Sequence, residues 1–172
     1  MHSRLTIREL RAGDAPQVQA FVRRLSPEAR FRRFFAPVNE LTERQLERVT
    51  TGSGPDDVSL AAFDDAGRIV GLAQYAVEDG ESAEFGVVVE DRLQRSGLGT
   101  SLIRELIEHA HARGLAALNG LVLYDNWPML SLAAKLGFEL EEDADPALMR
   151  VEKTLDSRRT KWTQMQYATA SA

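Results

Sequence analysis

The stretch Gln94-Arg95-Ser96-Gly97-Leu98-Gly99-Thr100, with its two flanks, most limits what this chain can fold into. Before it runs Glu84-Phe85-Gly86-Val87-Val88-Val89, a β-branched apolar run of strand length. After it, Leu98, Leu102, Ile103, Leu106, Ile107 and Ala110 recur at helical spacing, and Gly114 stands where a C-terminal cap belongs. The expectation is strand, glycine-containing turn, helix. Such a construction binds phosphate, because the first helical turn has free N–H groups at the positive end of the helix dipole and glycines admit an anion closely. The spacing departs from G-x-G-x-x-G and from G-x-x-x-x-G-K-[ST], so a dinucleotide or a nucleoside triphosphate loses its main support. A surface turn that merely opens a helix is the competing reading of the same residues.

The rest of the chain surrounds this unit with a regular order of elements. Thr6 to Leu10 alternates like a first strand, and Gly13-Asp14-Ala15-Pro16 opens a helix with Asp14 as N-cap. Ser26-Pro27 starts a second helix, which contains the basic and aromatic cluster Arg30-Phe31-Arg32-Arg33-Phe34-Phe35. Phe31, Phe34 and Phe35 at that spacing read as core, with the cluster also able to shape a cleft. A short helix is expected over Asn39 to Val49 and a loop over Thr50 to Asp56. Val58 to Phe63, Ile69 to Val77 and Ser82 to Val89 then form an antiparallel meander, its turns at Asp64 to Gly67 and Glu78 to Gly80. After the helix Gly99 to Arg113, a buried strand is expected over Leu118 to Leu123. A short helix follows from Met129 to Leu136, closed by Gly137, and then a strand pair at Phe138 to Glu141 and Leu148 to Thr154.

Composition sets bounds on this picture. With 172 residues the chain is expected to form one domain, residues 1–155, followed by a polar tail, 156–172, anchored by Trp162, Met165 and Tyr167. No run of about 18 apolar residues is present, and the N-terminus lacks an apolar signal core, so the expectation is a cytoplasmic protein with no membrane partner. The absence of cysteine removes thiolate nucleophiles and Cys-type zinc sites, and His109, His111 and His2 make no metal constellation. A net charge of −5 argues against nucleic acid as a partner. A monomer or a homodimer fits equally.

Two motifs in this order carry a resemblance. Gln94-x-x-Gly97-x-Gly99, and then Asn126-x-x-Met129 with Lys135-Leu136-Gly137-Phe138, resemble the acetyl-CoA loop and the downstream segment of the GNAT superfamily of N-acetyltransferases. The order β-α-α-β-β-β-loop-α-β-α-β-β matches that fold over roughly 150 residues. The implied class is α/β (α+β), a mixed, mostly antiparallel sheet flanked by helices and splayed between its fourth and fifth strands. Leu25 to Phe35, Ala83 to Val89 and Asn126 to Leu130 look closest to the catalytic domain of bacterial Pat-type protein lysine acetyltransferases. Those relatives act on lysines of acyl-CoA synthetases and other proteins, and many carry a further regulatory domain.

The resemblance implies roles for particular residues. Gln94, Arg95, Ser96, Gly97, Leu98, Gly99 and Thr100 would hold the acetyl-CoA pyrophosphate. Val87, Val88 and Val89 would pair with the pantetheine as an added strand does, with an N–H near Val88 or Val89 facing the developing oxyanion. Asn126 and Met129 would border the same arm, unless Asn126 only caps its helix. Glu84 would be the general base, in an apolar wedge that raises its pKa, with Glu78 and Glu81 as substitutes, although on the residues alone it reads as an exposed strand-end Glu. Arg95 and Arg104 would reach the CoA phosphates, although Arg104 also suits a pair with Glu108. No metal is implied. Many relatives have a Tyr seven residues after the motif asparagine; here that position is Ala133, and nothing assigns its role to Tyr124 or Ser131. The implied activity is direct acetyl transfer from acetyl-CoA to a protein lysine. A small-molecule amine as acceptor and a non-catalytic CoA-binding sensor are the alternatives.

Overall fold

The computed structural model describes residues 5–155, and the tail with Trp162, Met165 and Tyr167 lies outside them. The chain begins with β1 (Thr6–Glu9) and then three helices, α1 (Ala15–Arg24), α2 (Pro27–Phe34) and α3 (Glu43–Thr51). A meander follows, β2 (Val58–Phe63), β3 (Ile69–Val77) and β4 (Ser82–Val89). Then come α4 (Leu98–Ala112), β5 (Ala117–Leu123), α5 (Trp127–Lys135), β6 (Glu139–Glu142) and β7 (Leu148–Thr154). The seven strands form one sheet in the order β1-β2-β3-β4-β5-β7-β6. Every neighbouring pair is antiparallel except β4 and β5, which run parallel because α4 carries the chain back across the sheet.

Alternation along β4 assigns its two faces. Ala83 and Phe85 point into a core with α4 and α5, where Leu102, Ile103, Leu106 and Ala110 of α4 are fully buried. Val88 points into a second core, built with Val18, Phe21 and Val22 of α1 and Leu41 and Val49 around α3. Each fully buried Leu, Ile or Phe in these cores contributes about 1.5–3 kcal/mol, so the sheet is clamped from both sides. Glu84 and Gly86 therefore share the face of Val88, on the side of α1 to α3.

Local chemistry sets several helix starts, and two differ from expectation. Ser26 caps α2 as its sequence predicts, accepting from the Ala29 N–H at 3.1 Å. Asp14 does not cap α1 with its side chain. Its buried carboxylate instead accepts two bonds from the Arg8 guanidinium, at 2.8 and 2.9 Å, and one from the Arg11 N–H at 2.8 Å. The charge-assisted fork outcompetes the cap. Helix α3 starts at Glu43 rather than Asn39, because Thr42 and Gln45 form a reciprocal capping box, and it runs on through Thr51 into the expected loop.

Candidate active site

The site begins where β4 and β5 part. Their pairing covers only Ser82↔Ala117, Ala83↔Leu118 and Glu84↔Asn119, although β4 continues to Val89 and β5 to Leu123. The β5-facing backbone groups of Val87 to Val89 are thus left without a strand partner. A cleft of about 990 Å³ opens in that gap.

One wall of the cleft is mostly backbone. Val87, Val88 and Val89 form its side, and Gln94, Arg95, Gly97, Gly99 and Thr100 close its end. Gly97 adopts φ 89°, a left-handed conformation that costs an L side chain about 1–2 kcal/mol, and it turns the chain into α4. The first-turn N–H groups of that helix have no intrahelical acceptor, and that of Leu98 meets the Ser96 hydroxyl at 3.4 Å. Arg95 is also left-handed, at φ 63°, and brings a cation to this end. Two residues of the motif turn away. Ser96 donates its hydroxyl to the Leu93 carbonyl at 2.6 Å, and Leu98 is buried in the core beneath the loop. Their side chains serve the turn and the packing, which leaves only their backbone for a ligand. Asn126 and Met129 border the cleft from the start of α5, where the Asn126 side chain also accepts from the Met129 N–H at 3.4 Å.

The opposite wall is made of side chains on α2. Glu28, Arg32, Arg33, Phe34 and Phe35 line it, whereas Phe31 is 45% exposed and points elsewhere. The expectation of three core phenylalanines therefore fails: Phe35 ends the helix at φ 52° and is 42% exposed, and only Phe34 packs against the second core. Helix α2 is tied to the far side of the cleft through Asp91, which accepts from the Ser26 N–H at 3.0 Å and the Ser26 hydroxyl at 2.6 Å. Burial pushes the Asp91 carboxyl up, and these two donations more than offset it, holding the group below the usual carboxylate range.

Glu84 lines the cleft where the two strands separate, but it is exposed rather than set in an apolar wedge. It faces outward from β4 on the α2 side, because the apolar alternates Ala83 and Phe85 take the other face. Of the substitutes, Glu78 accepts from the Asn119 side chain at 3.3 Å, and neither Glu78 nor Glu81 borders the cleft. Arg104 is exposed on α4 and away from the cleft, as are Tyr124 and Ser131. Ala133 is fully buried and offers no proton donor.

Arg33 is the feature that sequence reasoning underrated, having placed it only within a basic cluster. Its guanidinium lies over Gly86, where an added Cβ would stand 2.9 Å from the Arg33 Cζ. It donates to the Gln74 Oε1 at 2.6 Å and sits 5.2 Å from the centre of the Phe34 ring. Burial holds its pKa below the ordinary guanidinium value, and the charge of Glu84 opposes that shift. Two signals were present in the sequence: a lone glutamine in the apolar run Ile69 to Val77, and a lone glycine in a β-branched strand, which marks close approach by another group.

Residues 20–138 match the Acetyltransferase (GNAT) family. The chain belongs to that family. Among solved structures it superposes on the GNAT domain of PAT from S. lividans with a TM-score of 0.81 and 25% identity, over 87% of this chain and 89% of that one. It also shares its fold with an acetyltransferase from Salmonella typhimurium solved with acetyl-CoA, at a TM-score of 0.68 and 19% identity, over 88% and 94% of the two chains. Among curated proteins it is 35% identical, over 86 residues, to L-methionine sulfoximine/L-methionine sulfone acetyltransferases of Pseudomonas paraeruginosa and Pseudomonas aeruginosa. That match covers 47% of this chain and spans about half, 50%, of the relatives' length. The GNAT fold with its parallel β4–β5 pair, and with it the fold class read from the sequence, is thereby established.

Proposed function

We propose that this protein is an acetyl-CoA-dependent N-acetyltransferase that moves acetyl directly onto an amine, the acceptor being a lysine side chain of a protein such as an acyl-CoA synthetase. The observation that carries the reading is the parting of β4 and β5 with a glycine turn at one end and Glu84 at the other. The turn would hold the pyrophosphate on the N–H groups of α4, with Arg95 supplying a counter-charge. The unpaired edge at Val87 to Val89 would hold the pantetheine, and its N–H groups near Val88 and Val89 would face the acetyl oxygen. Asn126 and Met129 would confine the same arm. No metal takes part.

Only about one lysine amine in a few thousand is neutral at pH 7, so a proton acceptor is needed beside the acetyl group. Glu84 would take that proton, directly or through water, as the amine attacks. Ala133 leaves the departing thiolate without a side-chain donor at that position. A thiol of ordinary pKa near 8.5 leaves as the anion with little help.

A second reading, a small-molecule amine as acceptor, is favoured by the Pseudomonas relatives, whose names specify amino-acid derivatives. The test is release of CoA thiol from acetyl-CoA, wild type against Glu84→Gln. The acceptors are a purified acyl-CoA synthetase, polyamines, aminoglycosides and amino acids. Release with the synthetase, lost in the variant and matched by acetyl-lysine in its mass spectrum, supports the lysine reading. Release with small amines alone moves the acceptor. Tight acetyl-CoA binding with no release from any acceptor points to a CoA-binding sensor.

A further inference from the structure

We infer that Arg33 forms a carboxylate subsite in the acceptor end of the cleft, so that the preferred acceptor presents a carboxylate close in space to the amine to be acetylated. The inference rests on the N-acetyltransferase reading, since it needs the amine at Glu84.

The argument starts from the strand pair under the guanidinium. Gln74 of β3 stands directly opposite Gly86 of β4 in the antiparallel register. Gly86 has no side chain, and the guanidinium fills the space above it, with Nε and one terminal nitrogen 3.1 and 3.2 Å from where a Cβ would be. A guanidinium has five N–H donors, and here one bond goes to Gln74. The other donors have no acceptor among the described residues, and Arg33 borders the cleft. Its neighbour Arg32 differs, being paired with Glu28 at 2.6 Å. A half-buried cation whose remaining donors meet no protein acceptor gains most from a bidentate anion, and a carboxylate matches its fork.

Glu84 completes the subsite. It lies two residues from Gly86 on the same face of β4, its charge acts on Arg33, and no ion pair within 4 Å joins the two among the described residues. An acceptor can therefore set its ammonium against Glu84 and its carboxylate on the fork of Arg33 within one face of the cleft. The same chemistry has two sources: the α-carboxylate of a free amino acid, or an acidic side chain beside a lysine in a peptide.

The test is calorimetric titration of the CoA-saturated protein with two matched pairs of probes. One pair is methionine sulfone and its α-carboxamide; the other is a terminally blocked Lys-Glu dipeptide and its Lys-Gln counterpart. In wild type the acid member of one pair is expected to bind ~10- to 100-fold tighter than its amide, and that pair names the source. Arg33→Gln should bring the two members to within about twofold, and Arg33→Lys should keep part of the difference. Gly86→Ala, which pushes the guanidinium aside without removing it, should also shrink the preference. CoA affinity reports that each variant is folded. Equal or undetectable binding of acid and amide in both wild-type pairs overturns the inference, and so does an Arg33→Gln variant that weakens both members alike. Acid preference with no acetyl transfer to these probes or to the wider acceptor panel leaves the subsite standing and defeats the transferase reading; transfer without acid preference does the reverse.

Discussion

The two walls of the cleft are made by different means. The wall from Val87 to Thr100 presents backbone: an unpaired strand edge, a left-handed glycine and the open first turn of α4. The wall on α2 presents side chains, and its central one, Arg33, is placed by Gln74 of β3, Gly86 of β4 and Phe34 of its own helix. A backbone site tolerates most side-chain changes and fails when the chain path is altered. A side-chain site fails one residue at a time. Substitutions should therefore separate into those that remove the acyl donor and those that remove only the acceptor or the chemistry.

The largest effect is expected at Gly97. Gly97→Glu imposes left-handed strain and brings a negative charge to the turn proposed for the pyrophosphate, so acetyl-CoA affinity should fall more than 100-fold by calorimetry. Gly97→Ala isolates the strain, because an added Cβ there meets nothing within 4 Å. It should cost about 1–2 kcal/mol of stability and much less affinity. Unchanged affinity in Gly97→Glu would remove the turn from the donor wall.

Glu84→Gln should lower kcat by roughly 10²–10⁴-fold, the range for loss of a general base. Acetyl-CoA affinity should stay within about twofold, because Glu84 stands where β4 and β5 part, at the opposite end from the turn. If affinity fell together with kcat, Glu84 would belong to the donor wall and the division drawn here would fail.

This contrast also explains how much could be read from the sequence. The backbone wall was legible because a strand, a glycine turn and a helix are contiguous, and the expected bounds of β4, Ser82–Val89, are the observed ones. The splay was available only through the family resemblance, since nothing local to β4 or β5 says where a parallel pair stops. Within the motif, sequence did not distinguish Gly97, which borders the cleft, from Ser96 and Leu98, which turn into the loop and the core. The side-chain wall was largely illegible. Arg33 and Gln74 lie 41 positions apart, so their bond exists only once α2 packs on the sheet. The exposure of Glu84 agrees with the bare residues, which read as an exposed strand-end Glu, and departs from the wedge that the resemblance implied: the apolar run gives the strand, while the face is set by which alternates the two cores claim.

Acid should loosen the tie between the walls. Asp91 is pushed up by burial and pulled down further by its two bonds from Ser26, so its folded pKa lies below the unfolded value of about 3.9. Asp14, held down first by the Arg8 hydrogen bond, and Asp64 and Asp143, held down first by backbone N–H donors, shift the same way. A group depressed in the folded state contributes stability that is full above its unfolded pKa and is lost as pH falls through its folded one. Unfolding free energy from urea melts should therefore be flat from about pH 8 to 5 and decline below about pH 4. Asp91→Asn should decline less steeply over that acid limb. An acid limb that overlays wild type would mean that Asp91 does not titrate with folding.

The smallest expected effect is the most informative about how separate the walls are. Ser26 caps α2 through its hydroxyl and uses the same hydroxyl, with its N–H, to hold Asp91 in the turn just after β4. Ser26→Ala removes the cap and the hydroxyl bond but keeps the N–H donation, and should lower stability by about 1 kcal/mol. Because α2 carries Arg33, the acceptor KM should rise by a few fold through misplacement of that wall. Acetyl-CoA affinity is the deciding quantity. If it is unchanged, α2 can shift without disturbing the donor turn, and the walls are independent sites sharing one gap. If it falls as the acceptor KM rises, the Ser26–Asp91 bond transmits position from one wall to the other, and any tightening of acceptor binding by acetyl-CoA must then be matched by an equal tightening of acetyl-CoA binding by the acceptor.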